Sequence, residues 1–251
     1  MIDLNGKTIL VTGGSRGIGA SVARVLARAG ARVALHYAHG REEAEAIAAE
    51  LEPRCRTFGA DFFAPRAAFC LWEETCAWAG RIDVVVNNAA VVTPLTVDDD
   101  LATWDRVWQE TLAVNVRAVA DLCRAAIHSY RTLGGGTIIN VASRAAFRGD
   151  EPHLMHYAAS KGALVALTRS IARGYAKHNI LAYVVAPGFV RTERQEGVIR
   201  RRGEEVMLRD IPLGEMARPE DVANVIAFLA SGLARHATGT TIDINGASYF
   251  H

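Results

Sequence analysis

Short apolar runs bounded by turn residues recur along the chain, at Thr8–Thr12, Arg32–His36, Arg54–Phe58, Ile82–Val86, Thr137–Val141, Leu181–Ala186 and Thr240–Ile244. Most are continuous in Val, Ile and Leu rather than alternating, the pattern of parallel strands covered on both faces. Between them, apolar positions recur at helical spacing over Ile18–Ala29, Arg41–Leu51, Pro65–Trp78, Leu101–Leu133, His153–Lys177 and Pro219–Ser231. This alternation predicts an α/β protein with a doubly wound sheet of seven mainly parallel strands flanked by helices. No repeat or low-complexity linker divides residues 1–251, which read as a single domain. Residues 191–218 break the rhythm, are rich in arginine and glutamate, and read as a mobile substrate flap.

Composition narrows the picture. Half the residues are hydrophobic and 22% charged, enough apolar material for a large core. A formal net charge of +1 gives no electrostatic case for nucleic acid or an anionic membrane. Cys55, Cys70, Cys76 and Cys123 form no Cys-x-x-Cys pair and have no histidines at metal-ligand spacing. They read as reduced thiols, with no metal site. The N-terminus lacks a basic region followed by an apolar segment, and no apolar run approaches the roughly 20 residues that span a bilayer. A soluble, cytoplasmic protein is expected.

The first strand runs into TILVTGGSRGIG, residues 8–19. Gly13 suits a tight turn, Gly17 a close approach to a pyrophosphate, and Gly19 close packing of the helix on the sheet. Ser15, Arg16 and Ile18 share this loop, and the helix N-terminus offers N–H groups and a positive dipole end to the anion. Dinucleotide binding follows. An acid after the second strand would bind a ribose 2′-hydroxyl and repel a 2′-phosphate. The segment Ala34–Arg41 holds none, and includes His36, Tyr37 and His39 beside the site. Arg16 is a ready partner for a 2′-phosphate. Arg41 either joins it or pairs with Glu45 one turn on, the second reading weighing more. NADP(H) is expected over NAD(H).

Tyr157 and Lys161 are one helical turn apart and share a face. A free phenol, with a pKa of about 10, is a poor proton shuttle at neutral pH, and a fixed ammonium beside it lowers that value. Ser143 ends the predicted strand Thr137–Val141, at the sheet edge where open α/β folds bind ligands. Asn115 lies within the predicted helix Leu101–Leu133, where asparagine is a poor helix former. Together they suit hydride transfer to a carbonyl carbon, with Tyr157 giving the oxygen its proton and Ser143 hydrogen-bonding that oxygen.

Over nearly the whole chain these motifs resemble, in order, those of the short-chain dehydrogenase/reductase family. TGGSRGIG resembles its cofactor loop, Asp61 its adenine contact and NNAA (87–90) its Asn-Asn-Ala-Gly turn. Asn115, Ser143, Tyr157 and Lys161 resemble its catalytic tetrad, APGFVRT (186–192) its Pro-Gly segment, and RPEDVANVIAFLAS (218–231) its late helix. The resemblance implies a single Rossmann-type domain, a carbonyl/secondary-alcohol oxidoreductase and a homotetramer. It adds Phe62, Asn88, Ala89, Ala90, Pro187 and Gly188 to the cofactor site, with Val190 and Thr192 on the nicotinamide carboxamide. It gives Lys161 the ribose hydroxyls and Asn115 a water linking the lysine to solvent. Phe63 reads as core, Ala90 as a restriction on positive φ where the family has glycine, and Asn245 and Ala247 as departures from its Val-Asp-Gly-Gly ending. The general look is closest to 3-oxoacyl-acyl-carrier-protein reductases and to sugar or polyol dehydrogenases. An NAD-dependent sugar or polyol dehydrogenase, an epimerase or dehydratase, and a catalytically silent cofactor-binding module stay open. Val91, Val92, Pro94, Phe147, Arg148 and His153 are candidate substrate contacts. Arg194 and Arg200–Arg202 either recognise an acidic substrate or a carrier's phosphate arm, or form a solvated face with nearby glutamates.

Overall fold

The computed structural model describes residues 2–251. Seven strands form one wholly parallel sheet: β1 (Thr8–Val11), β2 (Arg32–Tyr37), β3 (Cys55–Gly59), β4 (Val84–Asn87), β5 (Gly136–Val141), β6 (Ile180–Pro187) and β7 (Thr241–Ile244). Their order is β3-β2-β1-β4-β5-β6-β7. The chain builds outward from β1 in one direction, then returns to lay β4 on its other side. The crevice between β1 and β4, beyond the strands' carboxyl ends, is the topological switch point where such sheets bind ligands.

The continuous apolar runs serve both faces because successive side chains point opposite ways. Ile9 and Val11 pack with Val22, Leu26, Val222 and Ile226 on one side. Leu10, between them, packs on the other with Trp72, Leu122, Tyr130 and Leu164. The first layer carries α1 (Gly17–Arg28), α2 (Arg41–Glu50) and α10 (Pro219–Ser231); the second carries α3 (Ala67–Ala79), α5 (Ala118–Leu133) and α7 (Met155–Tyr175). Each fully buried Leu or Ile side chain contributes about 1.5–3 kcal/mol of transfer free energy to this sandwich.

Two stretches differ from expectation. The stretch Leu101–Leu133 is not one α-helix: α4 (Leu101–Leu112) meets α5 through a π-helical turn, Ala113–Arg117. That turn contains Asn115, and π turns of this kind concentrate at functional sites. Residues 191–218 are more ordered than their composition suggested. Thr192 caps α8 (Glu193–Arg202), its hydroxyl accepting from Gln195 N at 3.4 Å, and α9 (Glu204–Leu208) follows. Met207, Ile211 and Met216 form a small apolar cluster beneath them. A short helix, α6 (Ala145–Arg148), lies between β5 and α7.

Candidate active site

The glycine loop is held from below by β4. Asn88 Nδ2 donates to the carbonyls of Thr12 (2.9 Å) and Gly13 (3.1 Å), and Thr12 Oγ1 accepts from the backbone of Asn88 and Ala89. Gly13 has φ +67°, and a Cβ there would lie 2.8 Å from Ala89 Cα. Asn88 and Ala89 therefore shape the loop as well as lining the cleft. Helix α1 starts with no side-chain cap at Arg16 and no acid in its first turn. Its positive end and free N–H groups face a cleft of about 850 Å³ that Ser15, Arg16, Gly17, Ile18 and Gly19 line.

The residues at the end of β2 and just beyond it divide unexpectedly. His36 is buried, its Nδ1 accepting from Gly13 N (3.1 Å) while Nε2 meets Ala60 O at 2.8 Å. Both ring nitrogens are used, so His36 braces the loop and is not free to contact a phosphate. Tyr37 lies outside the cleft lining and packs over Gly59. Arg41 is exposed and paired with Glu45 at 2.7 Å, as its second reading had it, and does not line the cleft. Ser15, Arg16, His39 and Glu43 do. Both phenylalanines after Asp61 line the cleft, and Phe63 is not the core residue it was expected to be. Phe62 is buried and stacks on His36 at 4.4 Å, while Phe63 is 55% exposed on the cleft rim beside Asp61.

Burial pulls the His36 pKa down to about 4, against the backbone hydrogen bond to Ala60 and the charge of Asp61. The neutral ring is the folded form, whereas the unfolded chain takes its proton near pH 6.5. Stability from this group is complete above pH 6.5, falls as pH drops toward 4, and is lost below it, to a total of about 3 kcal/mol. Denaturant melts from pH 7 to 4 should show this loss in the wild type, and His36→Asn should flatten it.

The tetrad residues converge at the other end of the cleft. Lys161 is 2% exposed, and Nζ donates to Val141 O at 2.7 Å. Burial pulls its pKa down to about 8. Nζ lies 5.7 Å from the centre of the Tyr157 ring. Tyr157 and Ser143 are half-buried, and both line the cleft. Burial pushes the Tyr157 phenol upward, opposed by the Ser143 hydroxyl and the charge of Arg194, with Asp150 reinforcing the rise. The expected lowering by Lys161 is thus corrected: burial outweighs the Ser143 hydroxyl and the charge of Arg194, and Lys161 is not among the groups that shift the phenol. Asn115 makes three hydrogen bonds. Its Oδ1 accepts from Val91 N (2.8 Å), and Nδ2 donates to Val91 O (2.9 Å) and Ser160 Oγ (3.1 Å). Ser160 Oγ in turn donates to Tyr157 O at 2.7 Å. The asparagine side chain pins the β4 loop to the tyrosine's helix.

Sequence reasoning gave no role to the buried chain behind this site. Asn87 Nδ2 donates to Asn140 Oδ1, and Asn140 Nδ2 to Thr168 Oγ1, each at 2.8 Å. Asn140 inside an apolar strand was the available signal. Ala90 avoids positive φ, so its extra methyl causes no strain there. The strained substitution is Ala247, at φ +66°. Pro187, Gly188, Val190 and Thr192 line the cleft wall opposite the loop. On the substrate side Val91, Val92, Arg148 and Arg194 line it. Phe147 instead stacks on His251 at 4.0 Å, and His153 sits 3.4 Å from Glu151. Among the described residues, no three or more His, Cys, Asp or Glu gather as a metal site, and no helix is long and apolar enough to cross a membrane.

The chain as a whole has counterparts among known proteins. A family model described as enoyl-(acyl carrier protein) reductase matches residues 13–247. The 3-oxoacyl-(acyl-carrier-protein) reductase of Staphylococcus aureus is 35% identical over 97% of this chain and 98% of its own. The chain belongs to the short-chain dehydrogenase/reductase family. A dehydrogenase/reductase from Sinorhizobium meliloti superposes with a TM-score of 0.89 at 34% identity, covering 99% of this chain and 97% of that one. A putative NAD(P)-dependent gluconate 5-dehydrogenase from Beutenbergia cavernae, with bound NADP, gives 0.89 at 31% identity and 98% coverage of both. As a short-chain dehydrogenase/reductase, the protein is an oxidoreductase that interconverts carbonyl and alcohol groups with a nicotinamide cofactor.

The residues fit that cofactor. Gly13 and Gly19 leave no room for a Cβ, α1 presents an uncapped N-terminus, and Lys161 commits one of its three N–H donors to Val141.

Proposed function

We propose that this short-chain dehydrogenase/reductase uses NADP(H) to interconvert a ketone and a secondary alcohol, with Tyr157 as general acid and base. The observation that carries the reading is the common cleft: the glycine loop lines one end, and Ser143, Tyr157 and Lys161 the other. The nicotinamide supplies or accepts the hydride when bound. Gly13–Gly19 and the start of α1 would hold the pyrophosphate, and Asp61, Phe62 and Phe63 the adenine. Pro187, Gly188, Val190 and Thr192 would flank the nicotinamide. Two Lys161 N–H groups remain for the ribose hydroxyls. In reduction the phenol of Tyr157 donates its proton to the substrate oxygen, and Ser143 steadies the charge there. In oxidation the phenolate takes the hydroxyl proton. Asn115 acts as a positioning residue, fixing Val91 and, through Ser160, the first turn of α7. A homotetramer belongs to the same reading, which light scattering at a single-subunit mass would remove.

Arg16 supports the NADP(H) preference, being an exposed guanidinium on the cleft with no acid at the end of β2. Glu43, on the same wall, opposes a 2′-phosphate. The wild type is expected to show a lower Michaelis constant for NADPH than for NADH. Arg16→Ala should remove most of that gap, and Glu43→Gln should widen it. A panel of 3-oxoacyl thioesters, ketoses, diketones and quinones, followed by loss of nicotinamide absorbance, measures both constants. Equal constants, or a lower one for NADH, would refute the preference; no turnover of any carbonyl would refute the reaction.

A further inference from the structure

Arg144 follows Ser143 directly and is 5% exposed. Its guanidinium sits over Phe189, with Cζ 4.4 Å from the ring centre. Nη2 is 3.4 Å from Asp210 Oδ2, but that same oxygen already pairs with Arg148 Nη1 at 2.6 Å. Nη1 of Arg144 is buried with no hydrogen-bond partner. One half-exposed carboxylate therefore serves two guanidiniums, and the more deeply buried of them keeps an unused donor.

A buried, incompletely paired guanidinium is costly, since desolvation removes hydration that a distant or shared anion does not replace. Burial and the charge of Arg148 accordingly pull Arg144 below its ordinary pKa, against Asp210 and Asp150. Such an arrangement persists where a further anion completes it. Arg144, Arg148, Phe189 and Arg194 line the same cleft as Ser143 and Tyr157. Arg194 lies close enough for its charge to act on the Tyr157 phenol. The substrate end of the cleft thus gathers Arg144, Arg148 and Arg194 in its lining, with Asp150 beside them and Asp210 shared between the first two. The planar fork of an arginine guanidinium matches a carboxylate, and here it is packed against an aromatic ring.

We propose that the carbonyl substrate carries a carboxylate and that Arg144 is the residue that selects it, the carboxylate taking the free Nη1 donor and relieving the shared Asp210. This inference rests on the oxidoreductase reading above and names its substrate class.

The test compares oxo acids of graded chain length with their methyl esters, under NADPH, in the wild type, Arg144→Gln and Arg144→Lys. At the best chain length the wild type is expected to favour the acid over its ester by about ten- to a hundred-fold in kcat/KM, the scale of one charge-assisted hydrogen bond. In Arg144→Gln the acid-to-ester ratio falls toward one, chiefly through KM, and Arg144→Lys restores part of it. Esters turned over as well as acids by the wild type would overturn the proposal and leave the oxidoreductase reading standing. So would a ratio unmoved in a folded Arg144→Gln. If Arg144→Gln does not fold, judged by its melting temperature, the wild-type ratio decides alone. Reduction of neither acids, esters nor any other carbonyl overturns both readings.

Discussion

Tyr157→Phe is expected to reduce carbonyl turnover by about a hundred- to ten-thousand-fold while nicotinamide binding stays within a few-fold of wild type. Loss of a positioned general acid costs on that scale. The ring fills the same half-buried site, so the phenyl variant should keep the packing around Ser143 and Lys161. The direction of the phenol's shift adds a second signature. Burial pushes Tyr157 above its ordinary value of 10, so at neutral pH it carries its proton. Reduction needs that protonated form and should run without a loss from Tyr157 across pH 6–8. Oxidation needs the phenolate, so its rate should rise about tenfold per pH unit as pH climbs toward the phenol's pKa. The variant should lose that slope along with its turnover. Steady-state rates in both directions, with cofactor affinity measured separately by fluorescence, check the result. Retention of most of the wild-type turnover would remove Tyr157 from the mechanism.

The sheet was legible because its strands are buried on both faces, and a run such as Thr8–Val11 has no other economical fold. The convergence of Ser143, Tyr157 and Lys161 was legible for a related reason. A strand end and one helical turn are local geometries, and β5 and α7 carry them to one place. What stayed hidden depended on a single extra residue or on which neighbour claims a polar atom. The π turn around Asn115 leaves apolar spacing on either side nearly helical, so no period announces it. Phe62 and Phe63 are adjacent and equally apolar. Stacking on the buried His36 covers Phe62, whereas Phe63 stays exposed at the cleft rim. His36 itself read only as a cofactor-site residue because nothing in its neighbours shows that Gly13 N and Ala60 O take both ring nitrogens. Residues 193–208 are charged enough to look irregular, yet Thr192 caps them into helix and Met207 anchors them. Arg144 has the same character as His36. Its identity is plain in the sequence, whereas its burial beside a carboxylate shared with Arg148 is a property of the folded loop and flap together.

The second large effect is expected at Gly19. A Cβ built there would stand 2.1 Å from the Gly13 carbonyl oxygen and 2.7 Å from Asn88 Nδ2. Neither can yield cheaply: the carbonyl is backbone, and the amide holds both Thr12 and Gly13 in place. Gly19→Ala must therefore move the first turn of α1 away from β1, or push the loop toward Ala89, where Gly13 has no spare space either. Either shift displaces the N–H groups at the helix start by a large fraction of an ångström. Misplacement by about 1 Å in a positioned site costs on the order of a hundred-fold. Nicotinamide affinity is expected to fall by roughly that factor, and the melting temperature to drop with it, because α1 packs on α10 through the same helix. The contrast is Gly174, within α7, where a Cβ would meet nothing within 4 Å. Gly174→Ala should leave affinity alone and stabilise the helix by about 0.5–1 kcal/mol. Calorimetric titration of both variants with NADPH, beside their thermal melts, separates close packing at the loop from a general effect of adding methyl groups. If Gly19→Ala bound NADPH as tightly as Gly174→Ala, the loop would not be the cradle its geometry describes.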